Sequence, residues 1–363
     1  MNVSIVESFA NQCRGAIEKI SQGQNLCADE AESLFEAMLT AATGDAGGEL
    51  VGDDFALLAG LLVALKVKGE TAAELVGAAR AMRRYATRIQ VVGSPVVDIV
   101  GTGGDSLHTF NISTASAFVT AGAGVIVAKH GNRAVSSRCG SADVLEQCGV
   151  NLQLPHECVE ELIAELGIGF LFARQFHPAM SRVVTLRKQL GFRTVFNLLG
   201  PLTNPAGANC ALVGVYEPQL TEMFAAALNE LGCRRAMIVH GYDGMDELTM
   251  TTLSRVTELK DGFSRTYDFF PELHFDGELA TPDELQGGDV SENAEILQGV
   301  LNGRIRGAKR NIVLLNTAAA LVCADFAADV ADGIRIATEA IDNGMAHEKL
   351  CRLIERSNNI ASY

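Results

Sequence analysis

Four short apolar runs govern the chain from Val96 onward: VVDIV at 96–100, VIVAK at 125–129, ALVGVY at 211–216 and RAMIVH at 235–240. Valine and isoleucine in runs of this length favour strands, because β-branched side chains pack well on a pleated surface. Glycines and segments of helical period separate the runs. Strands that alternate with helices fold into an α/β architecture around a largely parallel sheet. Helices are predicted from Ser141 to a stop at Gly149, from Pro218 to Gly232, over Asp329–Asp342 and over Ala346–Glu355.

The first ninety or so residues carry helical spacing only. Ala31, Leu34, Phe35 and Met38 share one face of a helix over Glu30–Leu39, and Phe55–Leu65 reads as a buried helix. Thr71 and Glu74 form a capping box that starts a further helix to about Tyr85. Between them GDAGGELVGDD, residues 44–54, reads as a loop.

Charge narrows the function classes. With 29 Lys plus Arg against 44 Asp plus Glu, the net charge is −15. Such a surface repels nucleic acid and anionic membrane in bulk, so a polyanionic substrate needs a locally positive pocket or a bridging metal ion. The nine cysteines form no CxxC pair, which reads as reduced thiols and neither a disulfide framework nor a zinc site. The longest strongly apolar run, Phe55–Leu65, is too short to span a bilayer. MNVSIVESFANQCRG lacks a basic stretch followed by an apolar one. A cytoplasmic protein with no membrane or nucleic-acid partner is the expectation.

Five segments carry candidate chemistry. Gly101-Thr102-Gly103-Gly104-Asp105 leaves the first strand. Its glycines let main-chain N–H groups approach an anion, and they serve an ordinary strand-to-loop turn equally well. Asn111-Ile112-Ser113-Thr114 opens a helix at Ala115. Those residues are good caps, and a helix start also receives phosphate. Lys129-His130-Gly131-Asn132-Arg133, with Ser136 and Ser137, follows the second strand. A dense polar cluster at a strand's C-terminal edge is where α/β sheets bind ligands. His177-Pro178, Arg187 and Arg193 follow. These arginines form a solvated helix face or a fork for a carboxylate. Last, Asp243, Asp246 and Glu247 succeed RAMIVH. Such acids are commonly just solvated, and a carboxylate pair also suits magnesium beside substrate phosphates.

GTGGD, NIST, KHGNRAVSS with GSADVLE, HPAM, LGFRTVFNLLGPLTNP and DGMDE, in this order, resemble anthranilate phosphoribosyltransferases. The likeness runs from about Ala64 to about Gly344, and KHGNR with GSADVLE is its most specific part. It implies a small all-helical domain beside a large α/β domain with a mostly parallel central sheet, the fold of nucleoside phosphorylases. The domains implied are helical 1–92, with 173–196 returning to it, and α/β 93–172 plus 197–363. The resemblance implies transfer of the phosphoribosyl group of 5-phosphoribosyl 1-pyrophosphate (PRPP) to anthranilate, in tryptophan biosynthesis.

It assigns Gly101, Gly103, Gly104, Asp105, Thr109, Asn111, Ser113, Thr114, Lys129 and Ser141 to PRPP. Gly101, His130, Asn132, His177 and Arg187 fall to anthranilate, Lys129 and Arg187 being catalytic. Ser113, Asp246 and Glu247 fall to Mg²⁺, two ions per site, in a homodimer formed through the helical domain. The chain departs from the usual pattern at Arg174, where the family commonly has proline, in the 44–54 insert, and in lacking GPT after the acidic pair. Two rivals share the fold: a pyrimidine nucleoside phosphorylase, whose lysine motif differs, and a non-catalytic nucleic-acid-binding relative, which the net charge opposes.

Overall fold

The computed structural model describes residues 3–43, 53–104, 107–134 and 138–360. Four helices come first: α1 (Val3–Ser21), α2 (Ala28–Thr43), α3 (Asp53–Lys68) and α4 (Ala72–Tyr85). Then follow β1 (Val96–Gly101), α5 (Ile112–Gly122), β2 (Ile126–Gly131), α6 (Ser141–Gln147), α7 (His156–Leu166) and β3 (Ile168–Phe172). Three short helices, α8 (Ala173–Phe176), α9 (Ser181–Leu190) and α10 (Val195–Leu199), precede β4 (Cys210–Gly214), α11 (Leu220–Glu230) and β5 (Arg235–Gly241). The chain continues through β6 (Ser254–Lys260), β7 (Phe263–Phe269), α12 (Pro282–Leu285) and α13 (Val290–Leu301). It ends with α14 (Ala308–Cys323), α15 (Val330–Asp342) and α16 (Met345–Ile360).

These elements form two units. The first holds 1–88, 174–203 and 226–231; the second holds 89–173, 204–225 and 232–363. In the first, α2 buries Ala31, Leu34, Phe35 and Met38 on one face. Thr71 caps α4 through the predicted box: its hydroxyl accepts from Glu74 N, and the Glu74 carboxylate accepts from Thr71 N at 2.9 Å. The loop predicted over 44–54 lies outside the described residues except for Asp53 and Asp54, which are helical because α3 starts at Asp53.

The second unit is built on a seven-stranded sheet in the order β3-β2-β1-β4-β5-β6-β7. The first five strands are parallel, and their central members are buried along most of their length. The last two add an antiparallel hairpin. Its turn is Asp261-Gly262, both at positive φ, as a two-residue turn matched to strand twist requires. Helix α5 is buried along almost its whole length because α14, α15 and α16 pack upon it. Among the described residues, no helix is long and apolar enough to cross a membrane.

Candidate active site

Parallel pairing of β2, β1, β4 and β5 brings their C-terminal glycines, Gly131, Gly101, Gly214 and Gly241, to one edge of the sheet. Gly101 and Gly214 are directly paired. The loop after β5 crosses above both of them. The main-chain oxygen of Asp246 occupies the space a β-carbon on Gly214 would need, and its carboxylate occupies that of Gly101. Only glycine admits the acidic loop this close to the strand ends.

Asp243 shapes that loop from inside. Its carboxylate accepts from Thr249 Oγ1 at 2.6 Å, Thr251 Oγ1 at 2.5 Å and Met245 N at 3.1 Å. This Asp is structural, and Asp246 and Glu247 follow it, both half-buried. Gly103 N donates to Asp246 Oδ2 at 2.7 Å. Beyond the pair, Asn316 on α14 holds Leu248 by both its N–H and its carbonyl.

Lys129, 4% exposed at the end of β2, donates to the Ile99 carbonyl at 2.6 Å. Burial lowers its pKa, while Asp98, Glu247 and Asp246 act to keep the ammonium charged. Asp98 lies beneath this site, on β1. Its carboxylate accepts from His130 N at 3.0 Å and from Asn204 Nδ2 at 2.7 Å. The Asn204 amide also reaches the Ala128 carbonyl at 2.8 Å. Burial pushes Asp98 up to about 6, with the Asn204 amide and Lys129 opposing it. The buried carboxylate thus ties β1 to β2 behind the lysine.

Helix α5 begins at Ile112, three residues before the predicted start at Ala115. The capping reading fails for Asn111, whose side chain makes no cap bond and instead donates to Cys139 O at 3.2 Å. Among the described residues, Asn111 Oδ1 and Thr114 Oγ1 are buried without a partner, which leaves two acceptors at the helix start for a ligand. Ser113 is half-buried between them. Thr109 forms an isolated bridge with Gln286, and Gly287 N donates to His108 O at 2.9 Å. Lys309 pins that segment by donating to Glu284 O at 2.6 Å and Gln286 O at 2.9 Å, its ammonium 5.8 Å from the Phe110 ring. Asp105, Ser136 and Ser137 lie outside the described residues.

The cluster after β2 divides in two. Arg133 is internally paired: its guanidinium bonds Asp143 at 3.0 Å and Glu146 at 2.6 Å, above the Phe172 ring. Asp143 in turn accepts from Ala134 N at 2.9 Å and Gly140 N at 3.0 Å. That part of the cluster is explained by packing after all. Asn132 stays exposed, and its carbonyl accepts from Ser141 Oγ at 3.2 Å, which places Ser141 against the same turn. His130 is buried.

His177 and Arg187 belong to the first unit. His177 is 6% exposed, and burial pushes it down to about 4, a main-chain bond at Thr203 opposing. Its imidazole is therefore neutral at pH 7. It lines a hollow with Leu39, Met82, Tyr85, Ala179 and Met180. Arg187 is half-buried on α9, its guanidinium 5.8 Å from the Phe196 ring. Among the described residues it pairs with no carboxylate, whereas burial lowers its pKa. Lys188 beside it is exposed, as is Arg174.

Sequence reading missed Gly214, Asn204, Gln286, Lys309 and Asn316 as supports of this site. Among the described residues, no three His, Cys, Asp or Glu side chains converge as a metal cage. The adjacent carboxylates of Asp246 and Glu247 are oxygen donors of the kind magnesium completes with water and phosphate oxygens.

The glycosyl transferase family, a/b domain, matches residues 93–347, and its helical bundle domain matches 14–86. The anthranilate phosphoribosyltransferase of Desulfosudis oleivorans is 53% identical over 339 residues, 93% of this chain and 97% of that one. That of Syntrophobacter fumaroxidans is 52% identical over 94% of this chain and 98% of its own. Among solved structures, anthranilate phosphoribosyltransferase from Thermus thermophilus superposes with a TM-score of 0.86 at 42% identity, over 94% of this chain and 99% of that chain. The Saccharomyces cerevisiae enzyme in complex with PRPP and Mg gives a TM-score of 0.86 at 26% identity, over 99% of both chains.

Proposed function

Because this chain belongs to the anthranilate phosphoribosyltransferase family, we propose that it transfers the phosphoribosyl group of PRPP to the amine of anthranilate. The products are N-(5-phosphoribosyl)anthranilate and diphosphate, in tryptophan biosynthesis. The observation that carries this reading is the meeting of buried Lys129, the Gly101–Gly104 main chain and the Asp246–Glu247 pair at one sheet edge.

The reaction forms a bond from the amine nitrogen to ribose C1 as the bond from C1 to diphosphate breaks, and the amine nitrogen loses a proton. Negative charge gathers on the departing diphosphate, so fixed positive groups aimed at it lower the barrier most. Lys129 supplies a charge that needs no reorganisation, because its ammonium is already held by Ile99 O. Gly101, Gly103 and Gly104, whose lack of side chains lets a ligand approach the main chain, cradle PRPP with Asp105, Thr109, Asn111, Ser113, Thr114 and Ser141. Asp246, Glu247 and Ser113 hold Mg²⁺, two ions per site, which when bound neutralises diphosphate charge.

Anthranilate is taken by Arg187, His130, Asn132 and His177, with Gly101 beside it. Arg187 receives the carboxylate and orients the amine, and an aromatic amine is neutral at pH 7, so no strong base is needed first. A homodimer formed through the first unit accords with the exposed Val63 and Val67 of α3. A cytoplasmic setting accords with the free cysteines.

Anthranilate fluorescence tests the reaction. It falls when protein, PRPP and Mg²⁺ are all present, and persists when any one is left out. Persistent fluorescence in the complete mixture, with phosphorolysis of uridine or thymidine, overturns the reading. Asp246→Asn and Glu247→Gln lower kcat and raise the Mg²⁺ requirement.

A further inference from the structure

Asn316 is fully buried in the middle of α14, among Leu314, Leu315, Ala318 and Ala319. An amide in such surroundings is costly unless its polar atoms are paired. Here its Nδ2 donates to Leu248 O and to Ile312 O, each at 2.9 Å, and its Oδ1 accepts from Leu248 N at 3.0 Å. Two of the three bonds therefore go to the main chain of one residue. That residue directly follows Glu247. A side-chain amide that takes both the N–H and the carbonyl of one residue acts as a one-residue strand partner. It fixes the peptide plane on each side of Leu248.

The acidic pair is thus held from two directions. In front, Asp246 is bonded by Gly103 N and lies against Gly101 and Gly214. Behind, Leu248 is 1% exposed and clamped to α14. Glu247 sits between these two anchors, so the direction of its carboxylate depends on both. The same helix carries Lys309, which pins the segment that holds Thr109.

We propose that Asn316 is a positioning residue for the magnesium ligands, setting Asp246 and Glu247 at the angle at which they bind the ion. The proposal rests on the reading of that pair as the metal ligands. Outer partners of metal ligands tune affinity although they never touch the ion.

The test uses the full-length protein with PRPP and Mn²⁺ as probe, free Mn²⁺ being read by electron paramagnetic resonance. Asn316→Asp keeps size and acceptor but removes both donors. Asn316→Ser, smaller and neutral, leaves room for water to satisfy Leu248. The expected result is Mn²⁺ affinity weakened about 10–100-fold in both variants, with the Mg²⁺ midpoint of activity shifted in parallel and kcat largely recovered at saturating Mg²⁺. Glu247→Gln is the control. If it weakens Mn²⁺ binding while both Asn316 variants bind as wild type, with or without a lowered Tm, Asn316 is structural only and the proposal falls. If Glu247→Gln also leaves Mn²⁺ binding unchanged, the metal reading itself falls and takes this proposal with it.

Discussion

The main-chain oxygen of Asp246 stands over the α-carbon of Gly214, in the space that any side chain on that residue would fill. The acidic loop therefore rests on bare backbone at the end of β4. Gly214 has an ordinary strand conformation, so alanine there suffers no backbone strain. Its methyl group instead meets a main-chain atom that cannot rotate aside. Gly214→Ala is expected to destabilise the fold by roughly 1–3 kcal/mol, the usual cost of overpacking, and to raise the Mg²⁺ requirement as Asp246 is displaced. Urea denaturation and a Mg²⁺ titration of activity check this. A variant with a wild-type Mg²⁺ midpoint would show that the loop is not seated on Gly214.

That seating was hidden in the sequence. Gly214 stands inside ALVGVY, where it reads as one weak position in an apolar run. The α/β class was legible because strand runs and helices alternate, Lys129 because it ends one such run, and Asp246 because it lies in the turn after another. The supports were not. Asn204 and Asn316 are single amides whose partners, Asp98 and Leu248, lie 106 and 68 residues away, and no local spacing marks such a pair. Strand β3, IGFLF, is short and begins beside a glycine turn, so it escaped notice. The β6–β7 hairpin carried a usable signal, Asp261-Gly262 between two extended runs. The polar cluster misled in one respect, since Arg133 is held by Asp143 and Glu146 within its own motif.

The buried Asp98 carboxylate gives a prediction with a definite sign. Its folded pKa of about 6 lies above the ordinary 3.8. The folded state therefore binds this proton more tightly, and the stabilisation is fully present below pH 3.8 and lost as pH rises through 6. Asp98→Asn removes the titration and sets an amide donor against Asn204 Nδ2. The stability difference between wild type and variant should shrink by roughly 2 kcal/mol between pH 4 and pH 6, at about 1.4 kcal/mol for each tenfold change in proton affinity. Denaturation midpoints across that range check it. A difference independent of pH would mean that Asp98 stays ionised throughout.

Arg187 provides a test specific to the acceptor. A half-buried guanidinium that pairs with no carboxylate among the described residues is poised for one from a ligand. Arg187→Ala should lower kcat/KM for anthranilate by the equivalent of about 1.5–3 kcal/mol, the value of a charged hydrogen bond. KM for PRPP should stay near wild type. Arg187→Lys should recover only part of the loss, because an ammonium cannot make the two-pronged contact. Steady-state kinetics with each substrate varied decide the matter. Equal losses for both substrates would assign Arg187 to the fold.

His177 should titrate with the opposite sign to Asp98. Burial pushes it down to about 4 from the ordinary 6.5. Its neutral form is the one the fold accepts, so its contribution is present above pH 6.5 and is lost as pH falls toward 4. The full loss is about 3 kcal/mol by the same conversion from proton affinity to free energy. Because Asp98 gains stability over part of the same window, the wild-type pH profile alone understates both effects. Comparison with His177→Gln separates them: wild type should lose ground against the variant between pH 6.5 and pH 4.5. On the proposed assignment of His177 to anthranilate, the same neutrality presents the substrate with an imidazole and not a second cation, so KM for anthranilate should stay flat from pH 6 to pH 8. A KM that falls steeply as pH drops through 6.5 would mean that His177 protonates there, against the burial that surrounds it.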